Sequence, residues 1–488
     1  MSLLAMMPFV SPDALMEQLA KSSVPFKKPS DPDWATYSTT FNTRLPVAPV
    51  VVVLPTTVEH ICDAVRCANQ QGFKVQARSG GHSYASYSNG GMDGAMIVDL
   101  RKLQFIRCDD KCDGVVTVQP GVRLGNLARA IYDQDKRALS HGTCAAVGIG
   151  GHFTHGGYGF FSRAWGLAMD QIVGLDVVTA DGSHLPANAY QNPDHLTSIK
   201  AMRGAADSFG IITTFYLQTQ PAPPSVIYWD IKMSKVTNSV ESAVTAFQHI
   251  ENFAHNVSVM DRHLGFNVSL SSDNFAIGGT YLGSLDNFEN RIMPALLEGI
   301  SVVTTIDIKQ VDWLTALKHL NEDQDLEVEQ DYSGHSNFFA KSVVVPEPGF
   351  TEEGLTCFFE HLLDKGKDAP VSYFILMDFY GGVDSQINQK DLNFSAFAHR
   401  DALWVSQLYG YVGENQVFPP EGLDFINGLS NAMTAHLPEY GAYTNYTDPS
   451  LTREDAHRLY YGARVLRILK VQKSKWDPNN VFFNPQSI

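Results

Sequence analysis

No stretch of this chain holds the eighteen or so consecutive apolar residues that a membrane-spanning helix needs, so no such helix is expected. Basic residues are scarce beside acidic ones. The 36 Lys and Arg against 52 Asp and Glu leave a net charge of −16, and no basic cluster interrupts it, so nucleic acid and anionic membranes are not expected partners. Cysteine is thin as well: six in 488 residues exclude a disulfide scaffold. The opening Met1–Val10 lacks both a basic segment and a small-residue cleavage site, which makes it a poor secretion signal.

What is present is a long globular chain. Its length is too great for one ordinary core, so two or three domains are expected, and 44% hydrophobic content can fill them. Glycine is concentrated rather than spread. Seven of the nineteen residues from His141 to Gly159 are glycine, interleaved with Cys144, His152 and His155. Glycine lets backbone N–H groups approach a ligand closely, which a large anionic cofactor requires and a packed core does not. A second glycine turn, Arg78-Ser-Gly-Gly-His-Ser-Tyr84, follows a strand-like Phe73–Ala77. The two loops offer His82 and Cys144, with Ser79, Gly80, Gly81, Ser83, Gly148, Gly151, His152, His155 and Gly157 as candidate cofactor-contacting positions. His152 and His155 do not read as a metal pair, because no helix is expected to bring them to one face and no third ligand is near, so no metal is assigned.

Along the chain, the β-branched run 48–54 reads as a buried strand. Thr56 or Thr57 can cap a helix that carries Val58, Ile61, Val65 and Ala68 on one face and ends at Gly72. With the strand 73–77 this makes a β-α-β unit whose loop can hold phosphates. Strands are expected at 95–99 and 115–119, with Cys108 and Cys112 in the turn between them, and a helix at 124–133. Strands at 172–179 and 210–217 flank Ala180-Asp-Gly182, a hairpin signal. Pro221-Ala-Pro-Pro224 marks a boundary, after which strands alternate with helices, one near 240–253, as an antiparallel sheet with covering helices. The acidic run 322–331 reads as a solvated surface. A helix over 452–474, capped by Thr452 with Asp455 three residues on, stops at Asp477-Pro478. The expected class is α+β: residues 1–220 and 438–488 for the cofactor, 221–437 for the substrate.

The pair Ser79-Gly-Gly-His-Ser-Tyr84 and His141-Gly-Thr-Cys144, followed by Gly148-Ile-Gly-Gly-His152, resembles the berberine-bridge-enzyme-like flavin oxidases, and among them the fungal oligosaccharide oxidases. The resemblance runs from about Phe41 to the C-terminus, where 476–488 is similar to the family's closing signature. It implies a vanillyl-alcohol-oxidase (PCMH-type) FAD-binding fold, FAD bonded covalently through His82 and Cys144, and Ile211 or Ile212 offering backbone groups to the adenosine. It implies Tyr446, in Gly441-Ala-Tyr-Thr-Asn-Tyr446, as the catalytic base and Asp378 as the carboxylate that hydrogen-bonds and activates it. Ile149 stands at the position that gates oxygen, and isoleucine there leaves oxidase or dehydrogenase open. By the same resemblance the protein is a secreted monomer acting on a small molecule and O2. Yet Cys67 lacks the N-terminal partner cysteine that those oxidases carry, and the compartment stays open. Four Asn-X-Ser/Thr sites, at Asn256, Asn267, Asn393 and Asn445, fit the glycosylation pattern.

Tyr84, Phe374, Leu376, Trp404 and Gln407 are the expected groove residues. Phenylalanine and leucine at 374 and 376 replace the aromatic, often tryptophan, and the glutamine usual in the oligosaccharide oxidases, and Gly265 stands where a glucooligosaccharide oxidase has glutamate. Such losses make a groove more apolar. Two activities therefore stand side by side: oxidation of an oligosaccharide C1-OH to a lactone with release of hydrogen peroxide, and oxidation or cyclisation of a less polar fungal natural product.

Overall fold

The computed structural model describes residues 11–108, 113–188, 200–233, 235–300, 303–332 and 334–488, so Met1–Val10 and Cys112 lie outside it. The β-branched run does form a buried strand, Val51–Val53, and the Val58–Gln71 helix follows. Thr57 Oγ1 accepts the N–H of His60 at the helix start, and Gly72 closes its end with φ 76°, a conformation costly for any side chain. The expected β-α-β unit is present with one difference. Val51–Val53 and Val75–Arg78 do not touch; both run parallel to Met96–Asp99, which lies between them.

A second, antiparallel sheet has five strands in the order Ile106–Cys108, Val115–Val118, Ile211–Gln218, Ile172–Val178, His184–Asn188. The hairpin at 180–182 thus joins 172–178 to 184–188, while Ile211–Gln218 pairs with the opposite edge. Ile211 and Ile212 sit in the ladder with side chains in hydrophobic cores, away from the cavity described below.

Beyond Pro221 the chain builds one seven-stranded antiparallel sheet: Thr305–Val311, Val226–Lys232, Phe275–Tyr281, Leu264–Leu270, Ser372–Phe379, Ala402–Val412 and Asn337–Pro346, in that spatial order. Helices Val240–Ala254, Glu352–Lys365 and Pro420–Thr434 bury one face of it around Trp229, Phe266, Phe359 and Trp404. The other face is left to the functional site. The last helical segment, Arg453–Trp476, expected as one helix, is broken at Gly462 (φ 60°, ψ 171°); it returns to the first half and packs Leu459, Tyr460 and Val465 into the core that contains Phe215 and Leu175. Its cap is the expected one, Thr452 Oγ1 accepting Asp455 N–H at 3.1 Å. The closing segment then adds to the first sheet, where Val75 N–H donates to Val481 O.

Candidate active site

The two glycine loops meet backbone against backbone. A Cβ on Gly80 would overlap the main chain of Gly148, and one on Gly148 would overlap Gly80, so neither position accepts a side chain. Ser79 Oγ ties the loops further, donating to Pro120 O at 2.5 Å and accepting Gly150 N–H at 3.1 Å. Arg123 spans both, with Nη1 donating to Gly80 O at 3.2 Å and Ala146 O at 2.5 Å. His82 and Cys144 are thereby delivered to one cavity of about 610 Å³ that also reaches Tyr84, Asp378, Gln407 and Tyr446.

His82 is stacked on Phe41 with ring centroids 3.9 Å apart, and its Nε2 is buried without a hydrogen-bond partner. Burial, helped by the charge of Arg123, lowers its pKa to about 3, so the imidazole is neutral and keeps a lone pair. Cys144 is exposed toward the cavity. An unpartnered ring nitrogen, a free thiol and a glycine cradle on one cavity fit a flat, phosphate-bearing cofactor held by covalent bonds.

His152 belongs to a short helix, Ile149–Thr154, that the glycine content hid. Its Nε2 accepts Gly142 N–H at 2.9 Å and so fixes the turn before Cys144. Burial lowers its pKa to about 3, in keeping with an acceptor nitrogen. His155 faces the cavity and pairs with Asp207, 3.3 Å away; burial opposes its charge, but Asp207 more than compensates and its pKa is raised. Ser83 and Gly151 line the cavity as expected. Gly157 does not: it is a packed turn residue with φ 83° whose N–H donates to Tyr443 OH. The side chains of Ile211 and Ile212 also lie outside the lining, which does include the polar residues Gln76, Asp207 and Asn484.

Tyr446 stacks on Tyr84 at 5.6 Å and meets Tyr443 edge-on at 5.0 Å. Burial holds its pKa well above the usual phenol value, and the nearby Asp378 adds to the shift. Asp378 is buried, which raises its pKa to about 7 against the opposing hydrogen bond from Asn267. That hydrogen bond joins the carboxyl to its neighbour across the ladder rather than to the phenol, so its influence on Tyr446 acts through space. Asn267 and Asn445 both line this cavity, which removes them as surface glycosylation sites.

Trp404 requires correction. It is fully buried among the covering helices and donates Nε1–H to Glu251 Oε1 at 2.9 Å, on the opposite side of the sheet from the cavity. Gln407 does reach the cavity and donates Nε2–H to Tyr84 OH at 2.7 Å. Gly265 is a steric necessity, because a Cβ there would strike the Phe160 carbonyl. The acidic run is not wholly solvated either. Asn321 just before it accepts Ala145 N–H at 3.0 Å, Leu326 is buried, and Glu322 lines the cavity. Tyr158, Tyr443 and Arg123 went unmarked by sequence reasoning, and Asn267 was marked only as a glycosylation site; only Tyr443, three residues before Tyr446, carried a local signal.

Comparison with known proteins agrees with this geometry. Residues 49–188 match the family model "FAD binding domain" and residues 442–488 match "Berberine and berberine like". The chain is 35% identical to a carbohydrate oxidase of Microdochium nivale, covering 98% of this chain and 95% of that one, and 32% identical to a chitooligosaccharide oxidase of Gibberella zeae, covering 98% and 94%. A solved glucooligosaccharide oxidase of Acremonium strictum, described for its 6-S-cysteinyl, 8 alpha-N1-histidyl FAD, superposes with a TM-score of 0.90 at 31% identity over 97% of this chain and 99% of that one. The matched FAD-binding segment gives FAD as the cofactor of this chain, and His82 and Cys144 are the histidine and the cysteine that its cavity presents. With both family segments present and full-length relatives at this identity, the chain belongs to the berberine-bridge-enzyme-like family of FAD-dependent oxidases.

Proposed function

We propose that the protein oxidises a carbohydrate hydroxyl, the C1-OH of a sugar hemiacetal, to the corresponding lactone. The observation that carries this reading is a single cavity that holds His82 and Cys144 at one side and Asp378 and Tyr446 at another. FAD, when bound, supplies a two-electron acceptor that O2 regenerates with formation of hydrogen peroxide. The protein's own residues manage the proton. Loss of hydride from a neutral alcohol is difficult, so the hydroxyl proton has to leave as the C–H bond breaks. Tyr446 takes that proton at its phenol oxygen as its own phenol proton leaves. A free phenolate is disfavoured by burial and by an ionised Asp378, so the tyrosine does not work alone. Asp378, on the same cavity and with a pKa of about 7, is the group matched to hold that proton at neutral pH, and since no direct hydrogen bond joins it to the phenol the proton reaches it across the cavity rather than by contact. Tyr84 and Tyr443 hold the phenol ring from its face and its edge. Residues 1–220 and 438–488 serve the cofactor and 221–437 the substrate, and the protein acts as a monomer.

Tyr446→Phe tests the assignment. Turnover should fall by roughly a hundredfold or more, while acid-precipitated protein stays yellow because the flavin remains attached. A variant that keeps full turnover would remove Tyr446 from the chemistry. Leu376 and Phe374 on the cavity wall favour a second reading, oxidation of a less polar natural-product alcohol. Anaerobic bleaching of the flavin by mono- and oligosaccharides separates the two, since silence on every sugar selects the second.

A further inference from the structure

Side chains two apart on a strand share a face, so Asp378, Leu376 and Phe374 form one row along the Ser372–Phe379 strand. The neighbouring strand supplies a parallel row, with Gln407 paired to Leu376, Tyr409 to Phe374 and Tyr411 to Ser372. All of these residues except Ser372 and Tyr411 line the cavity. Exposure rises along the rows: Asp378 is 5% and Gln407 6% exposed, Leu376, Phe374 and Tyr409 are half-buried, and Tyr411 reaches 40%. The rows therefore run from the buried carboxyl out to solvent, about 7 Å for each pair of residues.

Polarity falls along the same path. The inner end holds Asp378, Asn267, Tyr446 and Gln407. The outer end is Leu376, Phe374 and Tyr409, with Phe374 stacked on Tyr409 at 4.9 Å and 12°. The Tyr409 hydroxyl at this end, and the amide nitrogen of Gln407 next to it, both have partners within the protein. Gln407 Nε2 is given to Tyr84 OH, and the Tyr409 hydroxyl is 3.2 Å from Ser336 Oγ. Thr143 and Glu322 belong to the other wall, beside the Cys144 loop, where Asn321 accepts Ala145 N–H. A second sugar ring laid over Leu376 and Phe374 would leave hydroxyls without partners, whereas an apolar group there loses nothing.

We infer that the preferred substrate is amphipathic: a hydroxylated ring at Asp378 and Tyr446 whose outward substituent is aryl or alkyl, lying on Leu376 and Phe374. This rests on the saccharide reading above and narrows it. The test measures kcat/KM of the flavin-loaded enzyme by anaerobic bleaching for glucose, cellobiose and 4-O-benzylglucose. The benzyl ether should exceed cellobiose by about tenfold or more. Leu376→Gln, which restores a hydrogen-bonding side chain to the row, should reduce that ratio severalfold. Cellobiose equal to or better than the benzyl ether would overturn the inference and leave saccharide oxidation standing. A ratio unmoved by Leu376→Gln would remove this row as its cause and overturn the assignment equally. Bleaching by none of the three sugars would overturn the saccharide reading, and with it the claim that an apolar saccharide is the substrate.

Discussion

At the scale of single residues, the decisive quantity is the proton affinity of Asp378. Its carboxyl sits near pKa 7 because burial penalises the charged form, and Asn267 recovers only part of that cost. A base must be ionised to accept a proton, so kcat/KM should rise with pH through about 7 and level off above it. A flat profile from pH 5 to 9 would show that this carboxyl does not titrate in the reacting enzyme. Stability should move the opposite way. The folded-state pKa lies above the unfolded value near 3.8, so the contribution of this group is fully present below pH 3.8 and is lost as pH rises through 7. Asp378→Asn removes the buried charge, and its melting temperature relative to the parent should be higher at pH 8 than at pH 5, while activity falls. A difference that does not change with pH would mean that the carboxyl is not the strained group described here.

At the scale of elements, strand parity decides which side chains meet the substrate. Asp378, Leu376 and Phe374 stand at even spacing and share a face, which the alternation of the Ser372–Phe379 strand made legible. Trp404 and Gln407 are three apart on an unbroken strand, so only one of them can face the cavity, and counting alone would have excluded the tryptophan. The terminal caps at Thr57, Gly72 and Thr452 were legible because a cap is decided within four residues. The turn that carries Tyr446 illustrates the converse. Thr444–Tyr446 forms a single short turn, and its anchor lies far away in sequence. Lys341, on the Asn337–Pro346 strand, reaches Asp448 Oδ2 at 2.5 Å, while Gln486 Nε2 donates to Asp448 O at 2.8 Å. Both ends of the pair are largely buried, so the contact is not screened as a surface ion pair would be. Lys341→Met should therefore let the Tyr446 turn shift, lowering kcat by about tenfold with KM little changed and flavin content intact. Steady-state kinetics on a saturating substrate reads this directly, and an unaltered kcat would reduce the pair to a purely structural tie.

At the scale of the whole molecule, the site exists because two halves of the chain close on each other, and that closure is the part of the fold local sequence could not disclose. The motif loops announce themselves by glycine, but nothing near them names the sheet they face. Likewise nothing local to Ile211 and Ile212 shows that their strand lies between Ile172–Val178 and Val115–Val118. The joint is carried by Arg163, on the short Ser162–Trp165 helix just after the glycine-rich loop. Its guanidinium is fully buried and has no carboxylate partner among the described residues; it donates instead to the carbonyls of Asp261, Leu264, Gly381 and Val383, all in the second half, and lies 4.4 Å over the Phe379 ring. Burial lowers its pKa to about 10, so it stays charged at physiological pH. Two of its acceptors, Gly381 and Val383, immediately follow the strand that ends in Asp378 and Phe379, which couples the joint to the catalytic row. Arg163→Ala would orphan four carbonyls and open a void, at a cost of about 3–5 kcal/mol. For a chain of this size the melting temperature should fall by roughly 5 °C or more. Because Arg163, together with Tyr158 whose hydroxyl donates to Phe379 O, holds the loop before it to the strand before Gly381, attachment of FAD should fall along with stability. An Arg163→Ala protein that melts like the parent and carries a full complement of bound flavin would show that the two halves close without it.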